Sequence, residues 1–255
     1  DICSLNPRVD RLTLSVIMEI DEKGNLTNSE VCEGIIKTKE RMTYEDVTKI
    51  LDGNKELCKK YEHILDDLYL MQPLALILKG NRLKKGGIDF DFPETKIELD
   101  ENGRPIKISK REITVANSII EEFMLMCNKT VAETFFWASV PFVYRVHEKP
   151  DGEKLAGFIA FLNALGISVK WRDETCHPKD FATLLDKIKD EPYYQVVNKI
   201  MLRTMQKAKY SPKNVGHFGL ASACYCHFTS PIRRYPDLVV HRVVKNILSG
   251  NPVWQ

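Results

Sequence analysis

The sequence lacks any apolar run approaching the ~20 residues that cross a bilayer, so no membrane partner is expected. It has no Cys-X-X-Cys pair. Its seven cysteines, at 3, 32, 58, 127, 176, 224 and 226, are odd in number and irregularly spaced. That pattern argues against a disulfide framework and for reduced thiols in a cytoplasmic protein. The first residues carry no signal-peptide pattern, and there is no internal repeat or low-complexity segment. Charge of one sign is also missing: 37 basic against 35 acidic residues give a net charge of +2. No global field announces nucleic acid, so such a partner has to be held by a local basic patch. What remains is ordinary for a globular protein. The 255 residues are 44% hydrophobic and 28% charged, enough to bury a core without metals or staples. The chain opens DICSLNP, without Met, and runs almost at once into a strand pattern, as a piece of a longer protein would.

Residues 11–20 and 25–38 read as strands around the turn Asp21-Glu22-Lys23-Gly24, a hairpin. Thr43 has the form of an N-cap for a helix ending at Asp52-Gly53. A helical stretch over 55–84 places Ile64, Leu68 and Met71 at core spacing, and Pro73 should interrupt or kink it. Ile88, Phe90 and Phe92 alternate with Asp89 and Asp91 as a short strand. Residues 95–100 and 105–110 flank the turn Glu101-Asn102-Gly103-Arg104, a second hairpin. The clearest helix covers 112–137, with Ile113, Ala116, Ile120, Phe123, Cys127, Val131 and Phe135 on its core face. Beside them Asn117, Glu121 and Asn128 fall within about 40° of one another at ~100° per residue, a polar stripe whose default reading is a solvated face. Helices follow near 151–165, 178–188, 192–208 and 231–248. Hairpins mixed with segregated helices make an α+β fold.

One helix start stands out, in HFTSPIRRYPD (227–237). Ser230 before Pro231 has the form of an N-cap followed by a first-turn proline. Arg233 and Arg234 then lie in the first turn, where a cation opposes the helix dipole. Two readings stand side by side. In one, the arginine forks and the Thr229 and Ser230 hydroxyls hold a phosphate at the helix start. In the other, this is an ordinary capped helix with the arginines paired to carboxylates, for which Arg233 and Asp237 have i,i+4 spacing.

The segment TSPIRRYPDLVVHR (229–242), with GHFGLA (216–221) before it, resembles the signature of the RNB domain of ribonuclease II-type exoribonucleases, nearest the ribonuclease R branch. CSLNPRVDRLTL (3–14), RMTYEDV (41–47), GGIDF (86–90), IIEEFMLMCN (119–128) and RVHEKP (145–150) agree with it, in family order. The resemblance implies a partial RNB catalytic domain over 1–255: β-hairpins and sheet packed with several helices. It implies a hydrolytic, processive 3′→5′ exoribonuclease that acts on single-stranded RNA, not DNA, and releases 5′-mononucleotides with Mg²⁺. A cytoplasmic monomer is expected. Arg233 matches the family's catalytic arginine at the scissile phosphate. Tyr44 matches a tyrosine near the active site, although tyrosines in the first turn of a helix are most often packing residues. Glu121 matches a glutamate that contacts a terminal nucleotide, with Glu122 one position away. Phe90, or Phe92 if the loop slips, resembles the aromatic that clamps the 3′-terminal bases. Thr229, Ser230, Arg234 and His217 are candidate RNA contacts.

Metal-assisted hydrolysis needs several carboxylates around the ions. The family supplies them from an aspartate cluster before the CSLNP segment, so the resemblance places the metal ligands, and the flanking cold-shock and S1 domains, outside residues 1–255. No metal ligand is assigned within the chain, and the chain alone is expected to be inactive. Asp89 and Asp91 could hold a cation but read better as the wet face of a strand. Cys224, Cys226 and His227 lack the second ligand pair of a structural zinc site.

Overall fold

The computed structural model describes residues 3–89, 94–111, 113–171 and 176–250. β1 (Asp10–Ile20) and β2 (Leu26–Lys37) pair antiparallel from Asp10↔Lys37 to Glu19↔Asn28. Their turn is held by the Asp21 carboxylate, which accepts the N–H groups of Lys23 and Asn25. Gly24 has φ +78, and a Cβ there would stand 2.7 Å from both Asn81 and Ile77. Only glycine lets the turn press this closely on the third helix.

α1 (Tyr44–Leu51) starts at Thr43, whose hydroxyl accepts the Asp46 N–H at 3.1 Å. α2 (Lys55–Lys60) and α3 (Leu65–Lys84) are separated by a 3₁₀ turn at Glu62–Ile64. The break in 55–84 is therefore at 61–64, and Pro73 lies inside α3 without ending it. Leu68 on one side of it, and Ala75 and Leu78 on the other, are buried. Tertiary packing outweighs the one backbone bond that proline removes.

β3 (Glu94–Leu99) and β4 (Pro105–Arg111) form the second hairpin. Asp100 accepts the N–H groups of Asn102 and Arg104 across its turn. Ile88 and Asp89 are irregular rather than extended in a ladder, while Phe90, Asp91 and Phe92 lie outside the described residues. α4 (Val115–Trp137) buries Ala116, Ile119, Val131, Ala132 and Phe135. Ile113 precedes the helix and is exposed, and Ile119 takes the place expected of Ile120.

β5 (Tyr144–Val146), α5 (Gly152–Ala164), α6 (Pro178–Lys187), α7 (Tyr194–Thr204), β6 (Lys209–Ser211) and α8 (Tyr235–Leu248) complete the order. β5 and β6 pair as a third antiparallel ribbon. The fold is α+β, with helices around small two-stranded sheets. One core gathers Phe158, Phe181 and Met201 from α5, α6 and α7. A second joins Val131, Phe142, Cys226 and Val240. That second core fastens α4, β5, the 224–228 segment and α8 together, and so carries the arginine loop.

Candidate functional site

The helix expected from Ser230 does not begin there. The Ser230 carbonyl accepts the N–H groups of Arg233 and Arg234, closing a single turn. Arg234 is then extended, at φ −128 and ψ 110, and α8 starts at Tyr235. Pro236 is the physical reason. In a helix begun at Pro231 its ring would strike the Ile232 carbonyl, whereas in the first turn of α8 its missing N–H needs no partner.

The ion pair also differs from the expected one. Asp237 is 0% exposed, and its Oδ1 accepts the Ser230 N–H and an Arg234 N–H, both at 2.8 Å. The turn therefore pairs Arg234, not Arg233, with the buried carboxylate. Arg233 is exposed and has no carboxylate partner among the described residues. Three buried polar atoms around this loop lack a hydrogen-bond partner: Thr229 Oγ1, Arg234 Nε and Asp237 Oδ2. Buried polar atoms are normally satisfied, so this loop is less completely tied than the core around it.

From the other side the loop hangs on α4. Asn128, read from sequence as part of a solvated face, is 2% exposed. Its Oδ1 accepts the N–H groups of Phe228 at 2.9 Å and Thr229 at 3.2 Å, and its amide donates to the Tyr225 hydroxyl. His241 on α8 meets the Phe228 carbonyl at 2.8 Å. The chain entering the arginine turn is thus clamped by side chains from two helices. Asparagine at a position where a surface helix favours lysine or glutamate was the sequence signal for Asn128. For Asp237 the signal was its spacing from the arginines.

Two motifs separate in sequence interlock here. His147, from RVHEKP, takes the Gly219 N–H of GHFGLA on Nδ1 and meets the Gln206 carbonyl through Nε2. A Cβ on Gly219 would come within 3.0 Å of that ring. His217 accepts the Leu220 N–H, and its ring stands edge-on to His147 and Tyr225. Burial first, then the neighbouring His147 and Arg145, push His217 down to about 3. Burial and Arg234 bring His227 to about 4. Both rings are neutral at pH 7. His227 Nδ1 meets the Tyr210 hydroxyl at 2.8 Å.

The second candidate cluster lies where α3 meets α4. Glu122 is 3% exposed and accepts from Arg82 bidentately, Oε1 from Nη2 at 2.6 Å and Oε2 from Nε at 3.2 Å. Glu121 is more open, and burial, opposed by Arg82, raises its pKa above the ordinary carboxylate value. Asp89 and Lys79 act on it too, and pair with each other at 3.2 Å. A cavity of about 310 Å³ opens beside Arg82 and Glu122, lined also by Tyr225 and Ser222. Asp89 brings the GGIDF segment to this cluster, although Phe90 itself lies outside the described residues. Tyr44 is exposed at the start of α1 and makes no ring contact or side-chain hydrogen bond with the arginine loop among the described residues.

The described residues contain no group of three or more His, Cys, Asp or Glu side chains placed to hold a metal ion. Cys226 donates to the Asn128 carbonyl, and Cys224 accepts from Asn214. Mg²⁺ therefore has no fitting donor set among these residues.

A family model described as the RNB domain matches residues 1–250. Ribonuclease R 1 of Lactococcus lactis is 45% identical over 98% of this chain and 30% of its own length. Ribonuclease R of Thermotoga maritima is 47% identical over 98% of this chain and 35% of its own. The chain thus spans about a third of the length of the curated relatives it matches. Among solved structures, Mycoplasma genitalium RNase R in complex with ribose methylated single-stranded RNA superposes with a TM-score of 0.89. That likeness covers 97% of this chain and 38% of that one at 32% identity. Yeast Ssd1, described as a pseudonuclease, shares the fold at a TM-score of 0.73 and 23% identity, over 99% of this chain and 31% of its own.

Proposed function

The chain belongs to the RNB-domain family, and from that premise we propose that it forms part of a processive 3′→5′ exoribonuclease. That enzyme hydrolyses single-stranded RNA and releases 5′-mononucleotides. The observation that carries the reading is the arginine loop. Arg233 is exposed and has no carboxylate partner among the described residues, on a backbone held by Asn128 and Asp237. A guanidinium held that way can meet a phosphate bidentately and stabilise charge that grows on it during cleavage. Arg234 cannot serve equally, because one of its N–H groups is tied to Asp237. Thr229 and Ser230 belong to the same loop and are the further RNA contacts of this reading.

At the other cluster, Glu121 rather than Glu122 is the residue we assign to the terminal nucleotide, because Glu122 is occupied by Arg82. Phe90, by base stacking, and Tyr44 are the further residues we assign to the RNA-degrading site. His217, neutral and half-buried, supports the loop beside Tyr225 and can offer at most one edge to RNA. RNase R of Mycoplasma genitalium has been captured with single-stranded and with double-stranded RNA, which supports RNA as the ligand class. Mg²⁺, when bound, would supply an activated water and neutralise phosphate charge. No residue described here is assigned to it.

The alternative reading is an RNA-binding module without activity that grips RNA through the same arginines. Incubation with 3′-tailed RNA and Mg²⁺ separates the two. Release of mononucleotides that a chelator abolishes supports the enzyme. Binding without release supports the module, and no affinity even at low salt, where phosphate contacts are strongest, overturns both.

A further inference from the structure

The exoribonuclease reading uses Arg233 and leaves a second arginine unexplained. Arg145 sits on β5 directly opposite Tyr210 on β6. Its guanidinium lies over the Tyr210 ring, 4.7 Å from the centroid. Stacking engages the face of a guanidinium and leaves its in-plane N–H donors free. Among the described residues none of those donors finds an acceptor, and no carboxylate pairs with them. The nearby Glu148 is already paired with Lys209 at 2.9 Å. The Arg145 backbone is fixed as well, its N–H donating to the Tyr225 carbonyl.

The Tyr210 hydroxyl ties this arginine to the loop through His227, six residues before Arg233. When Tyr210 donates to Nδ1, His227 keeps its Nε2–H as a neutral donor. Tyr225 packs edge-on against His227 at 5.7 Å and is itself held by Asn128. Arg145, Arg233 and Arg234 all act on His227 and help to keep it neutral. Three cations therefore share one neighbourhood, and only Arg234 has an anionic partner there. Unbalanced cations with free in-plane donors beside a neutral N–H suit a phosphate.

We propose that Arg145, Tyr210 and His227 form a second phosphate subsite next to the arginine loop, distinct from the phosphate on Arg233. The proposal rests on the exoribonuclease reading and adds a phosphate contact to it. The phosphate comes either from the RNA backbone or from the 5′-phosphate of a released nucleotide.

The test measures affinity of the intact protein for a short single-stranded RNA over a range of salt, with chelator present to stop cleavage. Arg145→Ala should weaken binding about tenfold and lower the slope of log Kd against log salt by about one. Arg145→Lys should keep the slope, since the charge remains, yet lose affinity several-fold because the fork is gone. A folded Arg145→Ala protein with unchanged slope overturns the backbone-phosphate source, and unchanged affinity for a nucleoside 5′-monophosphate as well overturns the subsite. Should thermal melting show Arg145→Ala to be unfolded, Arg145→Lys with full affinity overturns it instead. Unaltered protein that binds no RNA overturns the exoribonuclease reading together with the subsite. RNA binding, nucleoside 5′-monophosphate binding and cleavage that all persist unchanged in Arg145→Ala overturn the subsite alone. The two sources separate on two probes. If the ligand is a backbone phosphate, Arg145→Ala costs nothing further on RNA carrying one neutral methylphosphonate linkage at that position. If it is the product's phosphate, inorganic phosphate displaces a nucleoside 5′-monophosphate from the unaltered protein but not from the variant.

Discussion

Two arginine–carboxylate pairs, one made by α4 itself and one in the loop that Asn128 of α4 holds, differ in what they leave over. Arg82 and Glu122 close on each other: two guanidinium nitrogens meet one carboxylate, with 12% and 3% of the side chains exposed. Arg234 and Asp237 share a single contact, and that carboxylate oxygen also takes the Ser230 N–H. The second oxygen and the arginine Nε remain without partners. The closed pair is a structural tie. The open pair shapes a loop and leaves Arg233 beside it without a carboxylate among the described residues.

The comparison is tested most severely at the closed pair. Glu122→Ala strands a buried guanidinium and should cost about 3–5 kcal/mol in urea unfolding, with Arg82→Met added to Glu122→Leu recovering most of the loss. A smaller cost would mean that Arg82 finds another partner and that the pair is not the tie. At the open end the effect should move from stability to chemistry. In the intact parent enzyme, Arg233→Ala is expected to leave melting and RNA binding largely in place while slowing cleavage at least ~10²-fold, about 2.7 kcal/mol of barrier. Near-normal turnover would remove Arg233 from the scissile phosphate.

Asn128→Ala should show both effects, because it frees two buried N–H groups and the Tyr225 hydroxyl. About 1–3 kcal/mol of stability is expected to go, with cleavage falling further than the unfolded fraction explains. The smallest effect is on pH dependence. His217 and His227 have folded pKa values near 3 and 4, below the ordinary 6.5, so the unfolded chain binds more protons between those limits. Their contribution to stability is complete above about pH 6.5 and is lost as pH falls through the folded values. His217→Gln should flatten the fall in melting temperature between pH 6.5 and 4, and an unaltered slope would place the lost stability elsewhere.

Much of the fold was readable from pattern alone. Both long hairpins, the Thr43 cap and the positions of the helices follow from alternation, turn residues and 3.6-residue spacing. What escaped depended on contacts between distant segments. Pro73 is tolerated because α3 is buried on both sides of it, and one-dimensional periodicity cannot report that. Asn128 looked like a surface residue because its partners are a hundred positions away. The arginine turn was misread for a local reason: Pro231 was weighed as a helix start while Pro236 was not weighed as a helix stop. Arg145 carried no signal of its own, since a lone arginine in a strand is ordinary until the ring beneath it and the free donors around it are seen.

The bond from the Phe228 N–H to Asn128 closes a loop of 100 residues. On a ribosome adding roughly 5–20 residues per second, Asn128 emerges about 5–20 s before the segment it must hold. The arginine turn is therefore set only after β5, the three helices that follow it and β6 have been made. Its geometry is a readout of completed folding, and amide exchange at Phe228 would time the moment when this surface becomes competent.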